Sequence, residues 1–166
     1  MKQLWSPWRM TYIEERNNEP GCLFCNLRGA APGAASLVLH QEERAFVVLN
    51  RYPYTNGHVM IVPQAHVASL EDLEADALTD LMLLTRQSLR ALRRAYGAAS
   101  FNVGANIGAP AGAGVVDHVH LHVVPRWDGD TNFMSVCSDT KVISQSLQEL
   151  LAELKKTSQD RGLPSL

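Results

Sequence analysis

Short apolar runs recur along the chain, and in residues 100–106 and 117–127 they alternate with polar residues, a pattern typical of β-strands with two unlike faces. Turn residues separate several of these runs by only a few positions, so consecutive strands are predicted to form antiparallel hairpins. The predicted sheet has about five strands, which cover residues 37–40, 45–50, 57–63, 100–106 and 117–127.

Between the third and fourth strands the apolar residues change to three- and four-residue spacing, which predicts a long helix over residues 69–96. Acidic residues cluster in its first turns and basic residues in its last turns, in agreement with the helix dipole. Gly97 is predicted to end this helix. The stripe predicted to pack on the sheet comprises Leu78, Leu81, Met82, Leu89 and Leu92.

A second helix is predicted near the C-terminus, where Ser146 and Glu149 form a capping box before a leucine stripe. We expect residues 1–155 to form one domain, with 1–20 as an N-terminal extension and 156–166 as a polar tail. Strands and helices in this order predict an α+β fold, with one long and one C-terminal helix packed against an antiparallel sheet.

Composition and charge narrow the classes of function. The chain has 166 residues, of which 46% are hydrophobic, enough to bury a core of its own. A formal net charge of -2, without a block of basic residues, argues against a general nucleic-acid or membrane-surface binder. No apolar run approaches the about 18 residues of a membrane span, and residues 1–13 lack the apolar segment of a secretory signal. We predict a cytoplasmic protein, and three cysteines do not suggest a disulfide framework.

The strongest chemical signal is the run of His118, His120 and His122, which alternate with aliphatic residues. In a strand all three would share one face, while the aliphatic residues point into a core. A strand advances roughly 3.3 Å per residue, which puts the outer two histidines about 13 Å apart. Zinc–nitrogen bonds are about 2 Å long, so the three histidines cannot all bind one metal ion.

This run, followed by two apolar residues, resembles the signature of the histidine triad family. In that family the central histidine attacks the α-phosphate of a nucleotide and becomes a nucleotidyl-histidine, which implies that His120 is the nucleophile. Neutral imidazole suits this task near pH 7, since its reference pKa is about 6.5. The resemblance also implies catalytic positions for His118 and His122, and a supporting position for His58.

Cys22 and Cys25 form a Cys-x-x-Cys pair, a spacing suited to one tetrahedral zinc ion. The spacing alone leaves zinc, redox chemistry and a reduced, empty thiol pair open. The resemblance implies a closed structural zinc site in which His66 and His118 complete the pair. The family requires no catalytic cofactor. Cys137 has no partner by spacing.

A loop of small residues, 108–114, runs into the histidine segment, and its glycines let backbone N–H groups converge on an anion. We interpret this loop, including Ala113 and Gly114, as a phosphate cradle. By resemblance Asn106 meets the phosphate with its amide.

Two further positions are candidates for substrate contact. By resemblance Asn50 meets the ribose, although strand-end turn chemistry explains an asparagine there equally well. Trp127 opens a polar-aromatic loop just past the histidines, and this loop either covers the substrate or packs on a partner subunit.

The flanking residues resemble one branch of the family, the bacterial diadenosine tetraphosphate phosphorylases. They are the Trp-x-Pro-Trp-Arg run at 5–9 and the segment 124–134, and the resemblance covers roughly residues 1–155. Many phosphoramidases of the family carry Gln and then Ser or Thr where this chain has Gly114 and Val115.

The branch implies cleavage of a dinucleoside polyphosphate at an α-phosphate, with phosphate or water as the acceptor, by a homodimer. Three alternatives stay open at this point. They are a nucleoside phosphoramidase, a metal-dependent hydrolase that uses His118 and His120 as ligands, and a nucleotide-binding module without turnover.

Overall fold

Five antiparallel strands form a single sheet in the computed structural model, which describes residues 21–130 and 147–159. Their order across the sheet is β1-β2-β3-β5-β4. In chain order the strands are β1 (Val38–Gln41), β2 (Ala45–Leu49), β3 (Val59–Pro63), β4 (Ser100–Gly104) and β5 (Leu121–Arg126). With the helices below, this arrangement confirms the predicted α+β fold.

Within the described residues, three α-helices accompany the sheet: α1 (Leu23–Asn26), α2 (Ala75–Tyr96) and α3 (Leu147–Gln159). A single 3-10 turn, Leu70–Asp72, precedes α2, so the long helix starts later than predicted. Gly97 ends α2 as predicted, with φ 59° and ψ 29° in the left-handed region, and its N–H donates to the carbonyl of Arg93.

Strand β5 is shorter than predicted, because its pairing with β3 begins only at Leu121, opposite Ile61. The prediction that His118 and His120 belong to this strand is therefore wrong. The N–H of Val119 donates instead to the carbonyl of Val67, at 2.8 Å. The chain thus joins the sheet only after the first two histidines of the triad, so their rings need not follow the alternation of a strand.

Both faces of the sheet are covered at β2 and β3, where every residue is buried, whereas most of β4 is exposed. Alternate side chains of these strands point to opposite faces. One face packs against α2 and α3, through Val47, Leu49, Val59 and Ile61 among others. The other face packs against α1 and the segment before β5, in a smaller core cluster of Phe24, Val38, Phe46, Val48, Met60, Val62 and Val115.

The stripe predicted for the long helix is wrong at two positions. Leu78 is 36% exposed and Met82 is 58% exposed, so neither packs on the sheet. The buried face includes small residues, which let the helix approach the strands closely; it comprises Ala77, Leu81, Leu84, Thr85, Ser88, Ala91 and Leu92. The predicted stripe contained only large apolar residues and therefore missed this face, which also includes alanine, threonine and serine.

Helix α3 packs on α2 through Leu150, Leu151 and Leu154, which are buried as predicted. The Tyr96 hydroxyl also donates to the carbonyl of Leu150, at 3.1 Å. Over residues 21–130 and 147–159, no helix is both long and apolar enough to span a membrane.

Several predictions lie outside the described residues: the extension 1–20, Cys137, the Ser146 cap and the end of the tail. The single domain over 1–155 stays a prediction.

Candidate active site

The last two triad histidines lie side by side where the chain enters β5. His122 is on the strand, opposite Met60 of β3 and Gly104 of β4, on the sheet face away from α2. His120 precedes the strand and is only 4% exposed. The two imidazole rings meet edge to face, with their centroids 4.8 Å apart.

A backbone carbonyl fixes the tautomer of His120. Its Nδ1 lies 3.0 Å from the carbonyl oxygen of His118. A carbonyl oxygen only accepts hydrogen bonds, so Nδ1 must carry the proton. In the neutral ring this leaves Nε2 with a free lone pair, as a nucleophile requires.

His58 fixes the opposite tautomer on His122. The N–H of Tyr54 donates to His58 Nδ1 at 3.1 Å, and the Asn50 amide lies 3.2 Å from the same nitrogen. The proton of His58 is therefore on Nε2, which donates to His122 Nδ1 at 3.0 Å. In neutral His122 the proton is then on Nε2. The site consequently pairs a lone pair on His120 with an N–H donor on His122.

Burial keeps both rings neutral. Loss of solvation lowers the pKa of His120, although its hydrogen bond to the His118 carbonyl opposes the shift. Burial, and then the neighbouring His120, lower the pKa of His122 to about 4. Both rings are therefore uncharged near pH 7, where the tautomers assigned above apply.

His118 belongs to a different group, together with Cys22, Cys25 and His66. One donor atom from each residue lies within 4.8 Å of the other three. His118 Nδ1 is 3.3 Å from Cys22 Sγ, 3.7 Å from Cys25 Sγ and 3.3 Å from His66 Nδ1. His66 Nδ1 is 3.2 Å from Cys25 Sγ.

The four individual distances, 3.2–3.7 Å, fit a tetrahedral zinc ion. Bonds of about 2.0–2.3 Å to nitrogen and sulfur place neighbouring ligand atoms about 3.3–3.8 Å apart. The Nε2 of His118 donates to the Pro63 carbonyl at 2.9 Å, which leaves Nδ1 free to bind the metal. A backbone carbonyl on the second nitrogen is the usual support of a metal-binding histidine. The four predicted ligands thus form a site suited to zinc.

Of the predicted phosphate-binding residues, Asn106 lies at the triad end of the sheet. Gly104, the last residue of β4, is opposite His122, and Asn106 follows it by two residues. Asn106, Ala113 and Gly114 are half-buried. A short 3-10 turn, Ala109–Ala111, shapes the loop between them.

Asn50 and Trp127 are held by the protein itself. The Asn50 carboxamide oxygen accepts from the Tyr52 N–H at 2.9 Å, while its amide faces His58. The indole N–H of Trp127 donates to the Tyr96 carbonyl at 3.1 Å, on the α2 face of the sheet. Trp127 therefore lies on the face opposite His122, and its contact with substrate stays a prediction, like that of Asn50.

Two aromatic residues of the site were not predicted from the sequence. Phe24, between the two cysteines, is 1% exposed, and its ring contacts those of His118 and His120. Tyr54 stacks on His58 with the ring centroids 4.8 Å apart. Phe24 has a sequence signal, since a large apolar residue inside a Cys-x-x-Cys pair needs a buried partner. Tyr54 has none beyond its nearness to His58.

The family model of the HIT domain matches residues 32–129, more than half of the chain. The chain belongs to the histidine triad family. Among HIT relatives, an AP-4-A phosphorylase of Mycobacterium tuberculosis is 36% identical over 157 residues, covering 90% of this chain and 80% of the relative. An adenylylsulfatase of Arabidopsis thaliana is 30% identical over 119 residues, covering 71% of this chain and 58% of that protein.

A solved HIT structure has the same fold. It is a Zn-bound histidine triad family protein from Mycobacterium smegmatis, with a TM-score of 0.65 and 27% identity. The similarity covers 82% of this chain and 92% of that chain. Sequence and fold together confirm the family predicted from the histidine run.

Proposed function

We propose that this HIT protein is a nucleotide-processing enzyme that cleaves dinucleoside polyphosphates, such as diadenosine tetraphosphate, at an α-phosphate. One observation carries the proposal: His120 presents a lone pair beside an N–H donor of His122, and both rings are neutral. This is the pair of groups that nucleophilic attack on a phosphate ester needs. The similarity to an AP-4-A phosphorylase supports the choice of substrate.

In the first step His120 Nε2 attacks the α-phosphorus and forms a P–N bond. The bond to the bridging oxygen breaks, and the remaining polyphosphate leaves with the electron pair. The Nε2–H of His122 donates to an oxygen of the transferred phosphoryl group, where negative charge develops. In this proposal the Asn106 amide and the backbone N–H groups near Gly114 donate hydrogen bonds to the other phosphoryl oxygens.

In the second step an acceptor attacks the same phosphorus and displaces His120. Inorganic phosphate as the acceptor gives a nucleoside diphosphate, and water gives a monophosphate. We propose phosphate, because of the phosphorylase relative and because the family's phosphoramidase hydroxyl is replaced by Val115. That side chain is 9% exposed and belongs to the smaller core cluster.

The metal-dependent hydrolase loses support from the site geometry. His120 Nδ1 is bonded to a carbonyl, and His118 Nδ1 faces the cysteines. Among the described residues, the only cluster with three or more metal-binding side chains is Cys22, Cys25, His66 and His118. We propose that this cluster holds a structural zinc ion and that the reaction itself needs no cofactor. The homodimer and the cytoplasmic location stay predictions.

The deciding experiment is incubation with diadenosine tetraphosphate, with and without inorganic phosphate, and separation of the nucleotides. Phosphorolysis gives ADP and ATP only when phosphate is present, whereas hydrolysis gives AMP and ATP without it. His120→Gly should abolish either reaction. His40→Gln is the matched control, because His40 lies on β1, bonded to Glu42, and should retain activity.

No turnover by the wild-type protein under either condition would refute the substrate assignment. Adenosine phosphoramidate would then test the phosphoramidase alternative.

A further inference from the structure

The Cys-x-x-Cys segment is joined to the nucleophile by direct contacts. Phe24 lies between Cys22 and Cys25 in the one-turn helix α1, which the Asn26 N–H closes by donating to the Cys22 carbonyl at 3.0 Å. The Phe24 ring centroid is 4.8 Å from that of His120. A residue of the metal-binding segment therefore forms part of the wall against the catalytic imidazole.

The same segment reaches His120 by a second route. The side chain of His118 is held at both nitrogens, by the Pro63 carbonyl and by the cysteine group, and is fully buried. Its backbone carbonyl accepts the Nδ1–H of His120. The Phe24 ring packs edge to face on the His118 ring as well, at 5.4 Å.

We infer that Phe24 is a positioning residue for His120, and that the metal-binding segment 22–25 holds it in place. The inference rests on the proposed function, because it assigns Phe24 a role in the nucleophilic step. Phe24 limits rotation of the His120 ring, so that Nδ1 stays on the carbonyl and Nε2 stays aimed at the substrate. An ordered metal site then contributes to catalysis without touching the reacting atoms.

The principal test compares Phe24→Leu with Phe46→Leu. Phe46 is 0% exposed and lies in the same core cluster, and no aromatic contact joins it to a histidine among the described residues. Both variants lose a buried ring, and both should show a lower unfolding midpoint. We expect only Phe24→Leu to lower kcat, by about tenfold to a hundredfold, with KM within about twofold of the wild-type value.

Nitrogen-15 spectra of the imidazole rings supply a readout that does not depend on turnover. In the wild-type protein His120 should give one protonated Nδ1 and one unprotonated Nε2. Phe24→Leu should average these signals, and Phe46→Leu should not. This measurement decides the inference even if diadenosine tetraphosphate is not the substrate.

The role of the metal-binding segment is tested with Cys25→Ser. We expect a loss of bound zinc, measured by metal analysis, together with the same averaging of the His120 signals. Zinc loss with unchanged His120 signals would refute the coupling.

The inference about Phe24 has its own refuting results. A wild-type kcat and unchanged spectra in Phe24→Leu would overturn it. A rise in KM alone would also overturn it, because Phe24 would then be a binding residue. If Phe24→Leu does not fold, Phe24→Met, which fills more of the space but has no ring, replaces it with the same expected results.

Discussion

Acid should destabilise this protein through His122. Protonation would place two N–H groups face to face, since His58 Nε2 already donates to His122 Nδ1. It would also charge a ring that burial keeps neutral. The pKa of His122 is about 4 in the folded protein, against about 6.5 in an unfolded chain. Above pH 6.5 neither state binds this proton, and between the two values only the unfolded chain does.

Stability should therefore fall as the pH falls through this window. At about 1.4 kcal/mol for each pH unit, the loss attributable to His122 between about pH 7 and pH 4 is about 3 kcal/mol. Carboxylates and the other histidines also titrate in this range, so the wild-type curve alone does not isolate it. His122→Gln removes the titrating group, and its side-chain oxygen still accepts from His58.

The measurement is the free energy of unfolding in urea, for both proteins, at several pH values and at one zinc concentration. We expect the advantage of the wild-type protein over His122→Gln to shrink by about 3 kcal/mol from about pH 7 to pH 4. Parallel curves would refute the reasoning, because the proton would then bind both states alike. If the free energy of unfolding fell more steeply with acid in His122→Gln than in the wild-type protein, the effect of His122 would have the opposite sign.

Three other predictions concern His58, its neighbouring turn and the long helix. His58→Ala should lower kcat by about a hundredfold in steady-state assays, because His122 loses the donor that sets its tautomer. Gly57→Ala should lower the free energy of unfolding by about 2 kcal/mol, since φ is +77° and an added Cβ would meet side-chain atoms at 3.1 and 3.2 Å. Gly97→Ala shares the positive φ but has open space, so urea denaturation should show a smaller loss, and equal losses would contradict the packing argument. Leu84→Ala should cost about 2–5 kcal/mol and Met82→Ala less than about 0.5 kcal/mol, since their exposures are 2% and 58%; the reverse order would contradict the observed helix face.

Much of the fold could be predicted because its signals are local. Short apolar runs between turn residues, two of them alternating with polar residues, predicted all five strands, and Gly97 ends the long helix as expected. The start of β5 was missed because it depends on a backbone bond between Val119 and Val67, which no periodicity encodes. The face of α2 was missed in part because alanine, threonine and serine, and not leucine alone, make up its buried side.

The candidate site, like the fold, could be predicted only in part. The Cys-x-x-Cys spacing, together with the family resemblance that added His66 and His118, led to the four metal-binding side chains, and the structure brings them together. Apart from the His118 carbonyl that accepts from His120, the protonation pattern depends on groups far apart in the sequence and could not be predicted. The carbonyl that orients His118 belongs to Pro63, 55 residues earlier, and His58 lies 64 residues before His122.

The hydrogen bonds that set the two catalytic tautomers end in peptide groups. At one end the Tyr54 amide donates to His58, and at the other end the His118 carbonyl accepts from His120. Side-chain replacement at these two positions leaves a peptide N–H or carbonyl in place, unless proline removes the amide at position 54. The backbone therefore supplies the donor of one hydrogen bond and the acceptor of the other, whichever side chains stand at these two positions. Divergence of the side chains at positions 54 and 118 leaves these two peptide groups in place, and the reactive nitrogens keep their protonation states as long as Phe24 and His58 are retained.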